Sequence, residues 1–328
     1  MRQALATETL TTGERLVIEC VQPPDPDRAI QIEPFLAHKP THYRGHIAAA
    51  FACGCDDLET RFYIGLVNGE MVGNIMTVEA QGVGIFGHVH TRQDQRRKGI
   101  CAHIMRHQMA DFRRREGHVL LLGTGYQSVA YNIYHSFGFR DWEYGRPGLM
   151  RYVAPEEPDF EAGFLASPPA RAVEARWQHW PLAALLASTP NSDVFLRSLA
   201  FDLWGTGLLE GPFCRLLHER DRPGAAAAVL EAENGAVLAV ATCAPDPRWR
   251  QDVVLLDLFS HASVAPEALA DLLHALPLPV GRLQCYADPN DATKIAALEA
   301  AGLRQEAVVP RQFRAGTEWR DALLYGRG

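Results

Sequence analysis

The feature that most constrains this chain is a plan written twice. RFYIGLV, Asn68-Gly69 and EMVGNIMTVEA read as a strand, a tight turn and a second strand, because Asn-Gly supplies the positive φ angles of a two-residue hairpin turn. VGIFGHVHT (83–91) reads as the next strand. Residues 99–115 carry Ile100, Ile104, Met105, Met109 and Phe112 at helical spacing, with Gly117 as the stop. VLLLGT (119–124) is a short buried strand, and SVAYNIYHSF (128–137) is a helix with Ser128 as its N-cap and Gly138 at its end. The same order returns further on. AAVLEAENGAVLAVATC turns at Asn234-Gly235; strand VVLLDLFSH, helix PEALADLLHAL, strand VGRLQCYA and helix ATKIAALEAAGL follow, the last ending at Gly302. From Asn68 to Gly138 is 70 residues, and from Asn234 to Gly302 is 68. Agreement in both order and spacing predicts an α/β (α+β) chain built by tandem duplication.

Upstream of the first copy, RLVIECVQ (15–22) reads as a strand ended by prolines 23, 24 and 26. DRAIQIEPFLA and YRGHIAAAFACG read as two short helices broken at Pro34 and Pro40. FRDWEYG and GLMRYV close the first half, and DALLYGR closes the second. The spacing predicts domains at 1–154 and 171–328. The proline-rich, acidic stretch between them, 155–170, reads as an unpatterned linker. A length of 328 residues suits two domains, and 47% hydrophobic residues lets each bury a core.

A net charge of −7 argues against a general nucleic-acid binder. No apolar run reaches the roughly 18–20 residues of a membrane span. The segment MRQALATETLTTGERL lacks a signal peptide's apolar core, and the seven cysteines are odd in number and mostly far apart. Reduced thiols in a cytoplasmic protein are expected. Cys53 and Cys55 are too close for a CxxC pair, and His103 and His107 lack the Glu of HExxH, so no metal is expected.

Against this acidic background, Arg96, Arg97, Lys98 and Gly99 stand together at a strand-to-helix turn. A helix start offers unpaired N–H groups and roughly half a positive charge, which suits a phosphate. Glycine lets the backbone come close to a ligand. RRKGICA therefore has the design of a pyrophosphate cradle, although it contains neither GxxxxGK[ST] nor three glycines in GxGxxG spacing. The plainer alternative is a solvated basic loop, with Tyr134 a core aromatic.

VHTRQDQRRKGICA resembles the coenzyme A motif of the GNAT superfamily of N-acetyltransferases, Q/R-x-x-G-x-G/A, with Arg96, Gly99 and Cys101 on its fixed places; Cys101 departs from the usual Gly or Ala. QSVAYNIYHSFGF is similar to a second signature of that family, N-x-x-A-x-x-x-Y-x-x-x-G-F, through Ala130, Tyr134, Gly138 and Phe139, with Gln127 standing where Asn is common. The resemblance covers most of 15–153. It implies two tandem GNAT-like domains, similar in architecture to mycothiol synthase, each a mixed, mostly antiparallel twisted sheet flanked by helices. It implies acetyl-CoA as the acyl donor and a small-molecule or peptide amine as acceptor. The backbone of Val89, His90 and Thr91 would pair with the pantetheine arm. Arg96, Arg97, Lys98, Gly99, Ile100, Cys101 and Ala102 would hold the pyrophosphate, and Gln127, Ser128 and Tyr134 would complete the cofactor contacts. The site would lie where the strands at 83–91 and 119–124 splay apart.

Tyr134 falls on the family's general acid, and a phenol titrating near 10 matches a departing thiolate. His88, with His90 on the same strand, and Glu79 are candidates for the general base. Arg113, Arg114 and Arg115 read as a solvated helix end or as contacts to the 3′-phosphate of coenzyme A. The second half has Leu298 where the first has Tyr134, and SHASVAPEAL where the first has its basic glycine turn. It is expected to be cofactor-free, serving to pack, to shape the acceptor cleft or to form a homodimer. The alternative is a non-catalytic acyl-CoA-binding or regulatory protein, and beyond it an interaction module with a vestigial pocket.

Overall fold

The computed structural model describes residues 1–142, 146–166, 169–191, 193–220, 222–249, 253–279 and 281–328. It divides into two compact units, Met1–Pro158 and Asp159–Gly328.

The first unit runs β1 (Arg2–Thr9), β2 (Arg15–Val21), α1 (Pro26–Phe35), α2 (Thr41–Ala52), β3 (Glu59–Val67), β4 (Glu70–Ala80), β5 (Val83–Thr91), α3 (Ile100–Arg114), β6 (Val119–Gly123), α4 (Val129–Ser136), β7 (Arg140–Asp141) and β8 (Leu149–Val153). Its sheet has the order β1-β2-β3-β4-β5-β6-β8-β7. All neighbours are antiparallel except β5 and β6, which α3 connects as a parallel pair. Asn68 and Gly69 both take positive φ, 51° and 82°, as the hairpin turn requires. The amphipathic stripe of α3 packs Ile100, Ile104, Met105, Met109 and Phe112 onto Leu16, Ile18, Tyr63, Ile75 and Phe86. Gly73 permits that approach, since a Cβ there would stand 2.8 Å from Ile104. On the other face, Phe51 of α2 stacks on Phe62 at 5.3 Å, and His46 bonds Thr60 at 3.1 Å.

Strand β1 was not foreseen. Its residues are mostly exposed, so its sequence carries no clear apolar alternation, and it exists by pairing along the edge of β2. Residues 143–145 of the expected FRDWEYG strand lie outside the described residues.

The second unit runs α5 (Phe160–Leu165), β9 (Ala170–Glu174), α6 (His179–Ser188), β10 (Leu196–Ser198), β11 (Leu203–Trp204), α7 (Glu210–Glu219), β12 (Ala226–Ala232), β13 (Val237–Pro245), β14 (Val253–Ser260), α8 (Pro266–Ala275), β15 (Arg282–Ala287), α9 (Ala292–Ala300), β16 (Arg304–Ala315) and β17 (Glu318–Arg327). Its sheet order, β9-β12-β13-β14-β15-β17-β16, repeats β2-β3-β4-β5-β6-β8-β7, and β14 with β15 is again the parallel pair. The expected duplication is thus present in strand order and strand direction.

Three readings are corrected. The stretch 155–170 is not wholly a linker: Phe160 stacks on Phe164 at 5.0 Å, and Leu165 is buried in the second core, so the apolar residues at 160, 164 and 165 fold it into a helix. Residues 167–168 of that stretch, and Val280 of the expected strand VGRLQCYA, lie outside the described residues. The second Asn-Gly is not a two-residue turn. Glu233 and Asn234 form a turn closed by Gly235 N–H onto the Ala232 carbonyl at 2.9 Å; Gly235 takes φ 84°, and the strand register shifts beside it. The closing segment is a full hairpin, β16 and β17, rather than a single strand.

Candidate active site

The basic turn folds as a left-handed corner. Arg97 and Gly99 take φ 64° and 83°, and Gly99 is the N-cap of α3 with no side chain to cap the helix. A Cβ on Gly99 would come no nearer than 3.5 Å to the His103 ring, so the position asks for glycine by its φ and not for lack of space. The first helical hydrogen bond runs from His103 N–H to the Gly99 carbonyl at 3.0 Å. The N–H groups of Ile100, Cys101 and Ala102 precede it and are the orphan donors of the first turn. An anion carrying several oxygen acceptors fits that position. Arg96 and Arg97 are exposed, with Arg96 Nε donating to the Thr91 carbonyl at 3.2 Å. Lys98 is turned elsewhere, bonding Glu14 and Gln95 at 2.7 Å each, so its side chain braces the β1–β2 loop. Burial pushes the Cys101 thiol up to about 11, which makes it a small apolar residue at this corner.

The parallel ladder between β5 and β6 consists of Val83 with Val119, Gly84 with Leu120 and Ile85 with Leu121. Beyond Ile85, β5 continues to Thr91 along β4 only, and β6 continues to Gly123 along β8 only. The strands therefore part where the sequence reading placed the site. On its other edge β5 carries a bulge: Asn74 pairs with His90, but Met76 pairs with Gly87. His88 takes φ 51° at that bulge, and its carbonyl accepts from Asn74 Nδ2 at 3.1 Å. The extra residue reverses the alternation of side chains. Phe86 and Val89 face α3 and α4, whereas His88 and His90 face α1 and α2.

His88 is 6% exposed, its ring 4.6 Å from that of Tyr43, and its Nε2 is buried with no hydrogen-bond partner among the described residues. Burial lowers its pKa to about 3, and the charges of Lys39, His46, His38 and His42 act in the same direction. His90 lies 4.4 Å from His38 and 5.1 Å from Phe35, centroid to centroid; burial, then His38, Lys39 and Arg96, lower its pKa as well. Sequence reasoning singled out His88 and His90 but missed Phe35, His38, His42, Tyr43 and His46, which α1, α2 and their loop bring to them. The only available signal was that five histidines fall between 38 and 90. Among the described residues no cluster of three or more His, Cys, Asp or Glu is placed to hold a metal ion.

On the opposite face, Tyr134 of α4 is 6% exposed and packs edge-on to Phe86 at 5.4 Å, one residue past the end of the parallel ladder. Ser128 caps α4 as expected, accepting from Tyr131 N–H at 3.1 Å, and Gln127 beside it takes φ 56°. Tyr131 bonds Asp141 at 2.6 Å, a carboxylate partner that raises the phenol to about 12.

Glu79 lies away from the gap. It pairs with Gly84, at the far end of β5 from the bulge, and is held by both terminal nitrogens of Arg115 at 2.6 and 3.0 Å and by Thr77 at 2.5 Å. Arg115 also binds Asp111 and Tyr63, so this end of the sheet is a buried ionic network. Arg113, Arg114 and Arg115 likewise stand far from the glycine corner. They end a 15-residue helix, about 21 Å along its axis from Gly99. His103 and His107 face Glu8 of β1, at 3.6 and 2.7 Å.

A glycine corner opening α3, a tyrosine four residues before the glycine that ends α4, and a parted parallel pair between them coincide with the resemblance drawn from the sequence. The two mixed sheets flanked by helices are the tandem fold expected from that resemblance.

Solved structures similar to this chain carry GNAT or acetyltransferase names. They include a ribosomal-protein-alanine N-acetyltransferase from Brucella melitensis (22% identity over 48% of this chain and 98% of that one, TM-score 0.37). A GNAT superfamily phosphinothricin acetyltransferase from Sinorhizobium meliloti, in complex with AcCoA, is 15% identical over 48% of this chain and 87% of that one, with TM-score 0.39. An N-acetyltransferase from Staphylococcus aureus Mu50 is 14% identical over 49% of this chain and 98% of that one, with TM-score 0.37. No protein-family model matches the sequence, and no curated protein matches it. No helix among the described residues is long and apolar enough to cross a membrane.

The second unit lacks the bulge and the glycine corner of the first. Its β13–β14 register runs unbroken from Ala239–Ser260 to Pro245–Val254, so it has no bulge. Helix α8 opens with Pro266, which has no N–H, and Glu267, whose charge opposes an anion. The parallel pairing again ends early, at Leu255 with Gln284, but the parting is filled from within. Asp257, two residues further on, binds Lys294 of α9 at 2.7 Å, Ser198 at 2.9 Å and the Ala200 N–H at 2.8 Å. Asp288, just past β15, accepts the N–H groups of Phe195 and Leu196 at 2.9 and 3.1 Å. Leu298 stands in the tyrosine's place, buried at 0% exposure.

Proposed function

We propose that the first unit transfers an acetyl group from acetyl-CoA to a small-molecule or peptide amine. The observation that carries this reading is the parting of β5 from β6 beyond Ile85, with the open start of α3 at its end and Tyr134 against Phe86 beside it. The donors of Ile100, Cys101 and Ala102 hold the pyrophosphate, and the Arg96 and Arg97 side chains add charge. The backbone of Val89 to Thr91 aligns the pantetheine arm along β5, bringing the thioester to the gap. The acceptor approaches from the α1–α2 face, past His88 and His90. Its nitrogen forms a bond to the acetyl carbon as the carbon–sulfur bond breaks, and Tyr134, from the opposite face, gives its proton to the sulfur. The second unit takes no part in the chemistry, since its own gap is closed by Asp257 and Lys294.

The test is thermal unfolding with and without acetyl-CoA, with ATP as the control. At about 100 times its Kd a ligand adds about 2.7 kcal/mol, a shift of several degrees. A shift with acetyl-CoA and none with ATP supports the reading. No shift with either leaves a likeness of fold without the cofactor.

A further inference from the structure

We propose that the hairpin closing the second unit is a docking surface for an acidic segment of a partner polypeptide. This hairpin is the part of the second unit that the duplication does not account for. In the first unit β7 pairs with β8 through Arg140 and Asp141 alone among the described residues; in the second, β16 and β17 run for 12 and 10 residues. β17 pairs with β15 only from Leu323 to Arg327, so the rest of the hairpin projects past the sheet. Its two faces differ. Phe313 and Ala322 are buried with Leu196, and Phe195 and Trp204 pack beside them. On the opposite face Trp319 stands across from Arg314 and Val308 across from Leu323, and Trp319 and Val308 are each 50% exposed.

The backbone is bent to build that exposed face. Val309 pairs with Ala322 and Phe313 with Arg320, which leaves Pro310, Arg311 and Gln312 opposite Asp321 alone. Arg311 takes φ 51° in this bulge, and its N–H donates to Asp321 Oδ1 at 2.8 Å. The bulge brings Arg311 to the same ring as Arg314: each guanidinium carbon lies 5.7 Å from the centre of the Trp319 indole. Exposed arginines elsewhere, such as Arg92 and Arg114, hold carboxylates of the chain itself. The side chains of Arg311 and Arg314 hold none among the described residues. Of the hairpin's own acids, Asp321 takes the Arg311 N–H, Glu306 holds Arg282, and Glu318 sits across from Ala315 at the turn. Stacking orders a guanidinium before a partner arrives and leaves its N–H edge open, and that edge matches a carboxylate through two parallel hydrogen bonds. Two such edges beside Trp319 and Val308 fit a segment with carboxylates on either side of an apolar residue. Nucleic acid suits the face less well. Guanidinium already lies over the indole where a base would stack, and the net charge of −7 opposes a phosphate backbone.

The experiment titrates the full chain into a fluorescein-labelled peptide, Glu-Leu-Glu-Glu-Leu-Glu, and follows its anisotropy at about 50 mM salt. A labelled Lys-Leu-Lys-Lys-Leu-Lys peptide and a labelled oligothymidylate are the comparisons. Saturable binding of the acidic peptide alone is expected. Arg311→Lys with Arg314→Lys keeps both charges but loses the planar forks, and should weaken binding about tenfold. Trp319→Ala leaves both arginines unstacked and should weaken it about fivefold. Arg304→Gln removes an arginine from the same strand outside the stack, and should change binding by less than about twofold. All four side chains are exposed, so each variant should unfold at the parent's temperature. Equal binding by the parent and the Lys pair, equal losses in Arg304→Gln and Trp319→Ala, tighter binding of the oligothymidylate, or no binding of the acidic peptide overturns the proposal. So does a dimer in sedimentation that Trp319→Ala dissociates, since a second copy would then be the occupant.

Discussion

Phe86 and His88 stand two residues apart on one strand, yet their side chains lie on opposite faces of the sheet. Phe86 meets Tyr134 and Phe139, while His88 meets Tyr43. The single residue inserted at the bulge does this, and it places the phenol of Tyr134 and the imidazole of His88 on opposite faces of the sheet where β5 and β6 part. The insertion requires His88 to hold φ 51°. Asn tolerates that region, whereas a β-branched side chain does not. His88→Asn is therefore expected to lie within a few tenths of a kcal/mol of the parent in urea unfolding, and His88→Val to lose about 1–2 kcal/mol. Equal stabilities would mean that the bulge relaxes in solution.

Tyr134→Phe retains the ring against Phe86 and removes only the hydroxyl. Expected is a fall in kcat of about 10²–10⁴, the range of a lost general acid, with acetyl-CoA affinity within about twofold. Steady-state kinetics beside a direct binding measurement checks this. Comparable losses in both would make Tyr134 a packing residue.

Gly99 has space around it and a φ that disfavours other residues. Gly99→Ala should cost about 1–2 kcal/mol and weaken acetyl-CoA only modestly. Gly99→Glu should cost a similar amount of stability but abolish binding, because it sets a carboxylate where the pyrophosphate is held. Circular dichroism and the acetyl-CoA thermal shift separate the two effects. Retained binding in Gly99→Glu would remove the cradle.

What the sequence revealed and what it hid follow one physical line. The paired hairpins, α3, β6, α4 and the basic corner were legible because each depends on local chemistry: Asn68-Gly69 in a turn, Ser128 at a cap, the five-residue stripe of α3. Helix α6 was not legible. All ten of its residues are buried, so HWPLAALLAS shows no polar face from which a helical period could be read. Strand β1 was hidden for the opposite reason, being exposed along most of its length. Glu79 had the right residue type and a plausible place in sequence, but only the fold shows that Arg115 returns to claim it. The histidines of α1 and α2 meet His88 through the fold alone.

His46 and His88 make the first unit sensitive to acid. Burial lowers both folded pKa values to about 3, against about 6.5 when unfolded. Between those values the unfolded chain binds protons that the folded chain refuses, so stability is full above about pH 6.5 and falls as the pH drops. Each histidine adds a slope of up to about 1.4 kcal/mol per pH unit. Urea midpoints at pH 7, 6 and 5 should decline more steeply in the parent than in His46→Gln. Parallel declines would show that His46 charges without penalty.

The ion pair of Lys294 and Asp257 sits just past the point where β14 and β15 part in the second unit. Burial works against the Lys294 charge, but Asp257 holds its pKa above the ordinary value, and both side chains are almost wholly enclosed. Removing one partner leaves the other buried and unpaired. Lys294→Met should therefore destabilise by about 3–5 kcal/mol, while Lys294→Met with Asp257→Asn should recover part of that, since Asn removes the orphaned charge and its carbonyl oxygen still accepts from Ser198 or Ala200. Chemical unfolding of the three chains tests this. Neither variant should gain a second acetyl-CoA site in a binding titration, because α8 still begins with Pro266 and Glu267. A second site appearing in the double variant would mean that the salt bridge alone had kept the second unit from binding the cofactor.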